Sequence, residues 1–401
     1  MATTQENTAR TPGLTFAPYL TREPVLLAGL FMLAVLLFLA VTGLSRMFHA
    51  QQDALGQRWF ERGVTDFKAA RYDSAVLEFR AALRYSRDNY LYQFNLAEAL
   101  IGEKHMGEAY AYLIGLWDRQ PEDGLVNREL ARIAAQQGET EQALRYYHNA
   151  IYATWSQPGG ADDEEAQRRE TRLELIEFLL NLGAKTQAQS ELIALAANTG
   201  NDSGQEAQIG ELFLRAQDYE HALTAYRASL RVNRHDAAAQ AGAGFAAFQL
   251  GQYEVAHRYL EAATLSDSND SKSADLLKTT ELVLQMDPFQ RGISAVQRNN
   301  LVIKAFAIAG ERLKACGSAS PVAAAQGKQL SGAATGENSM TEGWTKLKPR
   351  ISEAGLRQNP DRAEEAMDMV FNIERQTAAS CGSPAGADLA LILIAKRHEG
   401  N

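Results

Sequence analysis

Cysteine is almost absent: the 401 residues hold only Cys316 and Cys381. Histidine is also sparse. His49, His105, His148, His221, His235, His257 and His398 are scattered, and no two have the spacing of a helical metal pair. With no cysteine pair beside them, no metal site is expected. The chain has no lysine/arginine run and no basic stripe interleaved with aromatics, and its net charge is −9. Nucleic acid is therefore not expected as a partner. A serine elbow, a phosphate-binding loop and a paired-carboxylate site are all missing, so no enzymatic activity is expected.

What the sequence does contain starts near its N-terminus. Val25 to Leu44 is a run of twenty residues without a charge. As a helix rising about 1.5 Å per residue, it spans about 30 Å, the thickness of one bilayer core. Residues 24–45 are read as an uncleaved single transmembrane helix after a tail over 1–23. Pro24 suits its first turn, and Arg22 and Arg46 flank it. The flanking charges leave orientation undecided. A short tail, one span and a large remainder are the layout of a signal anchor. This layout suggests a single-pass protein of a bacterial-type inner membrane, with the bulk of the chain outside the cytoplasm. Residues 46–54 are expected to form a short polar connector.

The body of the chain repeats. Ala75, Ala109 and Ala143 are each 34 residues apart, as are Ala188, Ala222 and Ala256. The spacing between the two triplets is 45, so about eleven residues are inserted, around Gln157 to Ala166. Twelve residues before the alanines stand Gly63, Ala97, Ala131, Ile176, Gly210 and Gly244, five of them small. Four residues after stand Phe79, Leu113, Tyr147, Leu192, Tyr226 and Leu260, all large. Two helices cross closely only where small side chains meet and large ones fill the flanking holes. Gly138, Gly183 and Gly251 mark turns between helices. The stretch Gly242–Ala247 imitates a dinucleotide-binding fingerprint, but it lies inside a repeat helix with no strand before it. Close helix packing accounts better for its glycines, and no cofactor is expected.

This pattern resembles the tetratricopeptide repeat, whose period is 34 residues. The first repeat carries the resemblance best, through Trp59, Gly63, Tyr72, Ala75, Phe79 and Ala82; the fourth departs most, with Ile176 at the small position. The resemblance covers residues 55–270, six repeats. It implies an all-α fold, a right-handed superhelix of tetratricopeptide-type helical hairpins, with an N-terminal transmembrane helix and a small helical C-terminal domain. Residues 271–287 read as a capping helix. Residues 288–401 read as a helical C-terminal domain with a mobile loop over 317–341.

In such repeats the first helices line a concave groove that holds peptides or partner helices. Projected here, the partner-binding groove consists of Phe60, Phe67, Phe94, Arg128, Arg132, Glu177, Glu211, Phe245 and Phe248. Arg128 and Arg132 lie one turn apart and are expected to share a direction. The plainer reading of these residues is solvated charge and packing between repeats. The lysine–asparagine clamp of the family has no match. Cys316 and Cys381 are either two buried thiols or a disulfide; a catalytic cysteine ranks third, since no histidine is placed to activate it. The function implied is a membrane-anchored protein–protein interaction scaffold in cell-envelope assembly or secretion, binding proteins or peptides. The alternative is an enzyme or substrate-processing protein with its chemistry in the C-terminal domain and the repeats as a docking arm.

Overall fold

The computed structural model describes residues 22–153, 155, 161–197, 199–200, 202–319 and 333–399. The chain divides into two compact units, residues 1–171 and 172–401. Every regular element among the described residues is helical.

The first unit begins with α1 (Arg22–Lys68), a single helix of 47 residues. The expected span is therefore only the first part of a longer helix. The polar connector expected over 46–54 is itself helical. Those residues contain no proline or glycine to stop a helix already begun, and adding a residue to an existing helix costs far less than starting one. α1 forms the first hairpin with α2 (Tyr72–Leu83). The second pairs α3 (Tyr90–Gly102) with α4 (Met106–Trp117), and the third α5 (Gly124–Gln137) with α6 (Thr140–Tyr152). Asp163 and Glu164 of the acidic run after the insertion fall in the first turn of α7 (Ala161–Asn181), where carboxylates suit the helix dipole. The start of the insertion, 156–160, lies outside the described residues.

In the second unit, α8 (Lys185–Ala196) completes the fourth repeat. The fifth is α9 (Ser203–Arg215) with α10 (Tyr219–Val232), and the sixth α11 (Ala237–Gln249) with α12 (Tyr253–Ser266). α13 (Ser271–Met286) follows.

Two kinds of joint recur. Within each hairpin, the residue five before the repeat alanine is left-handed: Ala70, Lys104, Gly138, Gly183, Gln217 and Gly251 have φ of 56°, 65°, 76°, 74°, 59° and 69°. The next amide reaches back five residues in all six turns: Arg71 N–H donates to Asp66 O at 2.9 Å, His105 to Leu100 at 2.8 Å, and Asp218 to Phe213 at 2.9 Å, for example. This is the Schellman closure of a helix end. Between hairpins, a side-chain oxygen caps the next first helix. Asn89, Asp123, Asp202, Asp236 and Asp270 each accept from an amide two or three residues on.

The six repeat alanines have no solvent exposure. A Cβ on Gly63 would meet Phe79 at 2.5 Å, and one on Gly244 would meet Leu260 at 2.7 Å, so the small residue of each first helix faces the large residue sixteen positions on. Gly242 lies against Tyr226 of the preceding repeat, where a Cβ would stand 2.3 Å from the ring.

The remaining helices of the second unit build a core with α13. They are α14 (Ala295–Ala319), α15 (Ala333–Leu347), α16 (Glu353–Gln358), α17 (Asp361–Ser380) and α18 (Ala387–Glu399). Two of these correct the loop expected over 317–341: α14 runs on to Ala319 and α15 begins at Ala333. Residues 320–332 lie outside the described residues. Extending a helix already begun costs far less than starting one, which carries α14 past Gly317. Trp344 stacks on Phe306 with ring centroids 5.5 Å apart and donates its indole N–H to the Phe306 carbonyl at 3.2 Å. Arg312 on α14 donates to Thr377 Oγ1 at 2.8 Å and Asp388 Oδ2 at 2.9 Å, and its Nε lies 3.3 Å from Glu374. One turn further, Cys316 is joined to Cys381 in a disulfide with the Cα atoms 5.6 Å apart.

The left-handed turns yield a direct test. Gln217 carries a side chain where glycine would be unstrained, and this costs about 1–2 kcal/mol. Gln217→Gly is expected to raise the melting temperature followed by circular dichroism, while Gly251→Ala lowers it. The reverse order would contradict the turn geometry.

Candidate functional site

The residue that follows the small position of each first helix falls at the same place in successive repeats. From the second repeat onward it is Glu98, Arg132, Glu177, Glu211 and Phe245. Four of these five were singled out from the sequence. Glu98 was missed, although its repeat position carries the same signal.

In the first unit this face is a network of charges. Arg128 is 8% exposed. Its Nη1 donates to Gln167 Oε1 at 2.6 Å and Glu170 Oε2 at 3.2 Å, and its guanidinium lies 5.6 Å from the centre of the Trp155 ring. Arg132 Nη1 donates to Glu129 Oε1 at 2.5 Å. Glu129, at 3% exposure, also lies 3.8 Å from Arg128 Nε. The expectation of two arginines offered side by side is thus corrected: Arg128 is held by α7 and an aromatic ring, and both lie against one buried carboxylate. Burial pushes the Glu98 carboxyl up to about 7; the Glu129 charge adds to this, and Arg128 and Arg132 oppose it. Tyr90, at the start of α3, is raised mainly by burial and then by the nearby Asp123 carboxylate.

The aromatic start of the expected groove is consumed in packing. Phe60 stacks on Tyr92 at 5.0 Å and tilts against Phe79 at 5.6 Å. Phe67 meets the edge of Tyr72 at 5.5 Å. Phe94 is 5% exposed and stacks on Tyr90. A one-dimensional period assigns these rings to a helix face, but the partner that covers each ring comes from a different helix or from the preceding turn.

The second unit keeps more of its face open. Glu177 receives a bidentate pair from Arg215 at 2.6 and 2.7 Å. That hydrogen bonding is the main reason the Arg215 guanidinium is held above its ordinary value. Glu211 is exposed. Phe245 stands edge-on to Tyr219 at 6.3 Å, and Phe248 edge-on to Tyr253 at 5.7 Å. Both phenylalanines are half-buried. Among the described residues, no group of three or more histidine, cysteine, aspartate or glutamate side chains is placed to hold a metal.

These features define an all-α protein built of tetratricopeptide-type hairpins. No family model matches the chain, and no curated protein matches it in sequence. Among solved structures it is similar to YrrB, a TPR protein with an unusual peptide-binding site, at 15% identity over 49% of this chain and 95% of that one, with a TM-score of 0.38. It is also similar to the C-terminal part of a TPR repeat-containing protein from Cytophaga hutchinsonii, at 12% identity over 61% and 92%, TM-score 0.43. A third is PilW, a widely conserved type IV pilus biogenesis factor, at 13% identity over 55% and 98%, TM-score 0.38.

The raised Glu98 carboxyl makes stability depend on pH. Below its ordinary value of 4.5 it is protonated in both the folded and the unfolded chain; above about 7 it is ionised in both, and the folded state bears the cost of burying the charge. Its contribution therefore falls as pH rises between those values. Glu98→Gln should leave stability near that of the parent at pH 4.5 and raise it at pH 8. A variant-to-parent difference that is the same at both pH values would rule out this role.

Proposed function

We propose that this protein is a membrane-anchored scaffold that holds segments of partner proteins along the first-helix face of its repeats. The observation that carries the reading is the alignment, at one repeat position of the second unit, of Glu177, Glu211 and Phe245. Such a row offers charge and then an aromatic ring to an extended or helical segment lying across successive first helices. Glu177 with Arg215, Glu211, Phe245 and Phe248 form the contact set, and Phe60, Phe67 and Phe94 support the first hairpins from within.

Anchoring is supported by α1. It is the one helix among the described residues long and apolar enough to cross a membrane, and no protein covers that part of it. Phe31 is 73% exposed and Phe38 67%. Bare apolar surface on this scale is costly in water and favourable in a bilayer. Placement of the bulk of the chain outside the cytoplasm, in cell-envelope assembly or secretion, draws support from the Cys316–Cys381 bond, since oxidising compartments preserve disulfides.

Two results are expected. A chain beginning at residue 51 should leave carbonate-washed membranes, whereas the full chain stays; photo-crosslinkers at positions 211 and 245 of the full chain should capture one common partner, and one at 220 should not. Equal capture from position 220 would refute the first-helix face. Second, protein isolated without reductant should show no titratable thiol. The bond closes a separation of 65 residues, which in the chain-entropy picture restricts the unfolded state by about 4 kcal/mol. Two free thiols would remove the support for extracytoplasmic placement.

A further inference from the structure

Four arginines of the second unit line one recess of about 820 Å³: Arg227 and Arg231 on α10, Arg234 just beyond it, and Arg258 on α12. Its floor includes Leu230, 9% exposed, and Tyr259. All four arginines are exposed, and among the described residues none of them forms an ion pair. The neighbouring acids form no ion pair with them. Asp236 caps α11 at the Ala239 amide and Glu254 pairs with Arg397, while Glu261 is exposed and lies 3.9 Å from His257. Buried Gln240 donates to the Arg234 carbonyl at 2.8 Å and accepts from Ser266 at 3.2 Å, so the rim is held in place. A concentration of four unpaired cations is unfavourable by itself, and all the more notable in a chain of net charge −9. An anionic ligand would relieve it.

The geometry points to an acidic, extended segment of a partner protein as the occupant of this recess. Three features select that chemistry. Guanidinium groups bind carboxylates bidentately, which suits arginine over lysine. Arg227 and Arg231 are four residues apart on α10, about 6 Å along the helix, close to the spacing of about 6.6 Å between alternate side chains of an extended strand. The apolar floor accepts a side chain from between two carboxylates. A bilayer or a nucleic-acid duplex would span such a recess and leave its floor unfilled. The site lies on second helices and does not depend on the first-helix groove.

The test uses the full chain in non-ionic detergent and a fluorescein-labelled peptide, Glu-Val-Glu-Phe-Glu-Val-Glu, followed by anisotropy. The peptide is expected to bind, and its glutamine counterpart to bind at least about tenfold more weakly, as is the double variant Arg231→Gln/Arg258→Gln with the acidic peptide. Helicity should be unchanged. Arg231→Lys/Arg258→Lys should fall between, because lysine keeps charge without the bidentate fork. If the double glutamine variant loses helicity, Arg227→Gln and Arg234→Gln singly serve the same purpose. Binding of the acidic peptide within twofold of the parent by these variants would overturn the proposal. So would tighter, arginine-dependent binding of a short single-stranded RNA or of a short-chain phosphatidylserine under the same conditions.

Discussion

The helix crossing inside each hairpin is the constraint on which the repeats depend. Ala75, Ala109, Ala143, Ala188, Ala222 and Ala256 have no exposure, so any larger side chain there has to displace a neighbouring helix. Overpacking of this kind costs about 1–3 kcal/mol. Gly63 against Phe79 and Gly244 against Leu260 show the same limit from the other helix. The fourth repeat meets it differently, with Ile176 and Leu192 both fully buried. Because one crossing recurs, equivalent positions in successive first helices repeat their orientation within each unit. A row of charges such as Glu177 and Glu211 is a by-product of that packing rule, available for recognition once the core is satisfied.

The repeat was legible because packing imposes small and large residues at fixed intervals. The turns were only half legible. Gly138, Gly183 and Gly251 announce themselves, but Ala70, Lys104 and Gln217 take the same left-handed conformation without glycine. There the back-reaching hydrogen bond and the two flanking helices impose a backbone that the residue type does not favour. The caps Asn89, Asp123, Asp202, Asp236 and Asp270 follow the same intervals and were open to reading. The C-terminal core was not. Its ties join Arg312 to residues 65 and 76 positions away, and no local periodicity encodes them. The groove positions were legible, yet their pairings were not: nothing in the order of residues says that Arg128 is covered by Trp155 and Gln167. The arginine recess escaped notice because its members are spread from 227 to 258 on two helices.

Buried carboxylates in both units are held by arginine. Glu374 has no exposure, and burial pushes its carboxyl up to about 7; Asp388 adds to the rise and Arg312 opposes it. In the first unit Glu129 plays the corresponding part between Arg128 and Arg132. Such groups stabilise little in net terms, but they penalise every arrangement that leaves one charge alone. Arg312 and Cys316 are one turn apart on α14, so the ion pairs and the disulfide bind the same end of that helix to the end of α17.

The unbroken course of α1 has a mechanical meaning. Its apolar part and its contribution to the first hairpin belong to one rod, with no hinge between them. The azimuth of that hairpin about the rod is therefore counted out in residues. One residue added near position 50 would swing it by about 100° and move it by about 1.5 Å. Sequence length between the two parts acts as an angular setting, so substitutions there are tolerated more easily than insertions or deletions.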